Sequence, residues 1–73
     1  MGAMPRMQRV ESSSVAAVGF EPTRNELTVR FVGGESYVYS MVPRAVFDAL
    51  LEAASKGRFV NQSLKPRYPV RKV

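Results

Sequence analysis

The clearest alternation of apolar and polar side chains is Leu27-Thr28-Val29-Arg30-Phe31-Val32. A period of two predicts a strand with Leu27, Val29 and Phe31 on a core face and Thr28, Arg30 and Val32 facing away. Val15 to Phe20 predicts an earlier strand that is apolar on both faces, with Val15 and Ala17 sharing one of them. Glu21-Pro22-Thr23-Arg24-Asn25 joins the two as a turn, since Pro22 fixes φ and Asn25 tolerates the left-handed region. After Gly33-Gly34 a third strand runs over Ser36-Tyr37-Val38-Tyr39, with both tyrosines on one face.

The period then changes. Pro43 suits a first helical turn, where its missing N–H has no intrahelical partner. Val46, Phe47, Leu50, Leu51 and Ala54 form a stripe at helical spacing, and several alanines raise the propensity. Burying Phe47 and Leu50 contributes roughly 2–3 kcal/mol each. Gly57 is expected just past the helix end in the left-handed conformation, with Lys56 beside the negative end of the dipole. Beyond it, Phe59 and Leu64 are expected to pack back on the core, and Asn61 to cap a single turn reaching Lys65. Pro66 and Pro69 predict an extended path from Arg67 to Val70.

These elements predict an α+β fold: a three-stranded antiparallel β-meander, one α-helix packed on one face, and a short basic C-terminal segment. The domain spans residues 12–70. Residues 1–11 are expected to be disordered, with Met1-Gly2-Ala3 read as a cloning remnant, and residues 71–73 form a basic tail.

The register of the second hairpin decides what the tyrosines do. A two-residue Gly33-Gly34 loop pairs Arg30 with Tyr37 and Thr28 with Tyr39, on the face away from Leu27 and Val29. A three-residue loop with a bulge puts the tyrosines with Val29 and Phe31 instead. The glycine pair favours the first arrangement, and the area buried favours the second; the two-residue loop is the expectation.

Composition narrows the chemistry. The chain contains no cysteine and no histidine, so it has no disulfide, thiolate or imidazole chemistry of its own. No apolar run approaches the roughly 20 residues of a membrane span. A cytoplasmic protein without membrane contact, cofactor or bound metal is expected. Charge is uneven: of eleven Lys and Arg, six lie from Lys56 onward, where there is no acidic residue. The earlier residues carry five basic and six acidic side chains. The net +5 is therefore a local feature, a solvated tail or a patch that meets phosphate.

Two groups are candidates for binding. Tyr37 and Tyr39, with Arg30 beside them in the expected register, would stack successive bases on an open sheet face. The competing role for the rings is core packing. Lys56, Arg58, Lys65, Arg67, Arg71 and Lys72 would hold phosphates without reading sequence. Ser55-Lys56-Gly57-Arg58 is not a phosphate loop, because the glycine frame before the lysine is missing. Asp48 and Glu52, four apart, mark a solvated helix face, and Ser12-Ser13-Ser14 has a turn or capping role. No catalytic residue is expected.

The ordered set Ser14, Gly19-Phe20, Leu27-x-Val29-x-Phe31-x-x-Gly34, Tyr37-x-Tyr39, Val42-Pro43, Phe47, Leu50, Ala54-Ser55-x-Gly57, Phe59 and Asn61 resembles the KTSC domain. That module is named for its place at the C-terminus of some lysyl-tRNA synthetases, and it also occurs as a small bacterial or phage protein. The resemblance covers Ser13 to Tyr68. Phe20 and Phe59 stand where the family often has tyrosine, and Gly33 where it often has asparagine. The resemblance implies RNA binding, by association with the synthetase. Together with the charge split, it leads to the expected function: a non-catalytic nucleic-acid-binding accessory module, RNA favoured over DNA. The alternative is a protein-interaction module or weak homodimer, using Val32, Met41 and the tyrosines as an apolar patch.

Overall fold

A computed structural model describes residues 6–73. The elements are β1 (Gln8–Arg9), β2 (Val15–Glu21), β3 (Glu26–Phe31), β4 (Ser36–Tyr39), α1 (Arg44–Glu52), α2 (Lys56–Phe59) and β5 (Val70–Lys72). α2 continues directly into a π-helical stretch, Val60–Leu64. The strands form one antiparallel five-stranded sheet in the order β1-β2-β3-β4-β5. Phe47 and Leu50 of α1 and Val60 and Leu64 of the π-helical stretch share one core with Val15, Val18, Leu27, Val29 and Tyr39. The helical layer therefore covers a single face of the sheet.

The α+β class is as expected, but the sheet has five strands rather than three, and there are two helices rather than one. The additional strands lie at the edges. β1 pairs Gln8 with Val18 and Arg9 with Ala17, and β5 pairs Val70 with Tyr39 and Lys72 with Tyr37. Every side chain of β1 and β5 is exposed, so neither carries an apolar alternation. Backbone hydrogen bonds pair them with the sheet, and backbone bonding leaves no mark in side-chain pattern. Gln8–Arg9 is thus strand within a segment expected to be disordered, and Arg71 and Lys72 belong to a strand and not a tail. Met1-Gly2-Ala3, read above as a cloning remnant, lies outside the described residues.

The β3–β4 hairpin adopts the other register. Val29 pairs with Tyr37 and Leu27 with Tyr39, while Arg30 pairs with Ser36. Phe31 N–H donates to Glu35 O at 2.8 Å and Gly34 N–H to Phe31 O at 2.8 Å, closing a three-residue loop over Val32, Gly33 and Gly34. Gly34 has φ +98°, the left-handed position of a turn-plus-bulge hairpin. The area buried decides the competition. Tyr39 is 1% exposed, and burying an aromatic side chain contributes roughly 2–3 kcal/mol. A bulge in β2 also separates Val15, which pairs with Phe31 and is fully buried, from Ala17, which pairs with Arg30 on the opposite face.

The helical layer turns where a single helix was expected to end. α1 stops at Ala53, which is extended, and Ser55 caps α2 by accepting the Arg58 N–H at 3.3 Å. Ser55, not Asn61, is therefore the cap, and Asn61 lies within the π-helical stretch. Lys56 does serve the end of α1: its Nζ donates to Leu51 O at 3.1 Å and Ala53 O at 2.6 Å. Gly57 is not a left-handed cap but a helical residue packed on Ser14, whose Oγ occupies the space a Cβ would need. The β2–β3 turn is as expected, with Asn25 at φ 54°. There the Glu21 carboxylate accepts from the Thr23 hydroxyl and the Arg24 N–H, and these bonds hold its pKa below the usual value.

Two substitutions test this packing. Phe47 stacks on Phe20 at 5.4 Å, and Phe47→Ala is expected to cost about 3–5 kcal/mol, read as urea unfolding. At Gly19 a Cβ would stand 2.9 Å from Arg6 O and 2.7 Å from Met7 Sδ. Gly19→Ala is therefore expected to displace β1, with fast amide exchange at Val10 while Val29 stays protected.

Candidate functional site

The register places Glu35, Tyr37 and Tyr39 at alternate positions of one chain segment, on the face the helical layer covers. β5 closes one side, with Val70 opposite Tyr39. The π-helical stretch lies across this end of the sheet. Its wide turn is closed by Lys65 N–H to Val60 O at 2.9 Å; Val60 and Leu64 are buried and Lys65 is exposed. Between these parts is a cleft of about 460 Å³ lined by Phe31, Glu35, Tyr37, Tyr39, Lys65 and Val70. The volume falls within the roughly 300–1,000 Å³ typical of small-ligand sites.

The lining combines aromatic walls with few polar groups. Phe31 meets Tyr37 edge to face at 5.8 Å and 74°, which fixes the half-buried Tyr37 ring. Lys65 supplies an ammonium and Glu35 a carboxylate. Lys72 Nζ lies 3.3 Å from Glu35 Oε2, an exposed ion pair whose contribution to stability is small. Burial raises the pKa of Tyr39 above its usual value, and the neighbouring Tyr37 adds to the rise.

Three of the residues singled out from sequence, Tyr37, Tyr39 and Lys65, meet in the cleft, and Lys72 reaches its rim through Glu35. The others are elsewhere. Arg30 is exposed on the opposite sheet face between Ala17 and Ser36, so it does not stand beside Tyr37. The aromatic face is a partly covered cleft and not an open platform. Lys56 is engaged at the end of α1, Arg71 pairs with Glu26 at 3.4 Å, and Arg67 is exposed. Arg58 lines a separate hollow of about 280 Å³ with Ser55, Phe59 and Gln62. Val32 and Met41 are exposed, beyond opposite ends of β4. Phe31, Glu35 and Val70 were missed as site residues. The three-residue register would have revealed the first two; β5 has no side-chain signal that would reveal Val70.

Among the described residues, no cluster of His, Cys, Asp or Glu could hold a metal ion, and no helix is long and apolar enough to cross a membrane.

Comparison with known proteins finds a match to the family model of the KTSC domain over residues 11–68. A protein of Tsukamurella paurometabola is 53% identical over 62 residues, covering 85% of this chain and 92% of that protein. A stretch of a lysine–tRNA ligase of Nostoc sp. is 36% identical over 58 residues, which is 80% of this chain and 10% of that enzyme. The crystal structure of a KTSC domain protein from Yersinia pestis superposes with a TM-score of 0.88 at 31% identity, covering 96% of this chain and 99% of that one.

The raised pKa of Tyr39 has a measurable consequence. Below the ordinary tyrosine pKa of about 10 both folded and unfolded chains hold the proton. Above it the unfolded chain releases the proton first, so stability falls as pH rises through the higher folded value. Urea unfolding between pH 9 and 11 is expected to show a shallower loss of stability in Tyr39→Phe than in the wild type.

Proposed function

The chain belongs to the KTSC domain family, and from that premise we propose that it is a non-catalytic accessory module that binds nucleic acid, RNA in preference to DNA. The observation that carries the reading is the cleft with its two tyrosines and Lys65. It has room for one unpaired base, with rings to pack against and an ammonium for the adjoining phosphate. Sequence-specific RNA recognition usually takes such splayed bases, whereas duplex DNA keeps its bases stacked. The net charge of +5 favours a polyanion in general. The similar stretch in a lysine–tRNA ligase supports the same choice, since that enzyme is named for tRNA.

A protein-interaction reading has one observation in its favour. β5 is an edge strand, and Val70 and Val73 are 49% and 64% exposed, which suits strand addition by a partner or a second copy.

Fluorescence anisotropy with labelled single-stranded RNA, duplex RNA and duplex DNA at two salt concentrations separates the two. Binding is expected to be strongest for single-stranded RNA and to fall with salt. Tyr37→Ala is expected to weaken it by about 1–3 kcal/mol in a variant shown to be folded by circular dichroism. Lys65→Ala is expected to weaken it too, while Arg30→Ala on the opposite face has little effect. No binding at low salt, or binding indifferent to both Tyr37→Ala and Lys65→Ala, overturns the reading.

A further inference from the structure

We infer that the cleft prefers a base carrying an exocyclic amino group, such as cytosine, over uracil, and that Glu35 makes the distinction. The inference rests on the RNA-binding reading above and names the ligand of that site. Glu35 is the one carboxylate among the cleft-lining residues. A negative charge there opposes a polyanion unless it meets a donor, because an ionised carboxylate only accepts hydrogen bonds. Lys72 Nζ, 3.3 Å from Oε2, offsets that charge, and Oε1 has no hydrogen-bond partner among the described residues.

The remaining groups give the cleft a direction. Glu35, Tyr37 and Tyr39 project from alternate positions, about 6.6 Å apart. Glu35 stands at the hairpin-turn end; Val70 packs opposite Tyr39 at the other. Glu35, Tyr37 and Lys65 line the same cleft, so a base packed against Tyr37 with its phosphate toward Lys65, a donor only, would turn its edge toward Glu35. Cytosine presents its N4 amine as a donor to a carboxylate. Uracil has a carbonyl oxygen at the same ring position, so two acceptors would face each other. The two pyrimidines have the same size and ring shape, which makes hydrogen bonding the term that separates them.

The test uses the full chain and labelled single-stranded oligo-C and oligo-U RNA of equal length, at neutral pH and low salt. The wild type is expected to bind oligo-C about tenfold more tightly. Glu35→Gln is expected to remove that preference while binding persists, since an amide both donates and accepts. Its site is exposed in the hairpin, so the fold is not at risk. Equal binding of the two RNAs by the wild type overturns the inference and leaves the RNA reading standing. A preference that survives in Glu35→Gln overturns the role of Glu35. Binding of neither RNA overturns both the inference and the function it rests on.

Discussion

Tyr39 lies opposite Leu27, and a slip of one residue in that pairing would turn every side chain of β4 over. The core residue Tyr39 would go to the far face, and Val38 would take its place beneath the helical layer. β5 is bonded to β4 and has no other strand neighbour, so its register follows from the same pairing. The cleft depends on it as well, because Phe31, Glu35, Tyr37 and Val70 come together only when these strands are aligned as they are. The Val32-Gly33-Gly34 loop holds the alignment from one end, and the buried Tyr39 ring holds it from within.

The helical layer meets this sheet through a joint built from consecutive residues. Ser55 starts α2, Lys56 reaches back to the open carbonyls of α1, and Gly57 lets the new helix approach Ser14. Each satisfies a different need: a free N–H, free carbonyls and a lack of space. The joint directs the chain into the π-helical stretch, where Leu64 is buried and the next residue, Lys65, is exposed.

What could be read from the sequence followed the strength of side-chain pattern. β3, β4 and α1 carry period, β2 is a short apolar run ending at a turn signal, and all four are present. Asn25 in the left-handed turn was legible because few other residues tolerate that conformation. β1 and β5 were not legible, since their side chains are all exposed and carry no apolar alternation, and their pairing uses backbone atoms that every residue shares. The meaning of Gly57 was misread because a glycine near a helix end fits both a left-handed cap and a close contact, and only Ser14, distant in sequence, distinguishes them. In the site, the types of residue were recognisable and their grouping was not: Tyr37, Tyr39 and Lys65 share the cleft, but one step of register sends Arg30 to the other face.

The placement of β1 and β5 at the two margins of the sheet has a practical corollary. Four inter-strand steps of about 4.8 Å separate those margins, roughly 19 Å. Val70 lines the cleft, and Val73 still bonds to Ser36 beside it. A fluorophore or affinity tag attached after Val73 therefore begins next to the cleft mouth, where it would compete with or report on whatever enters. β1 itself lies the full width of the sheet away from that opening.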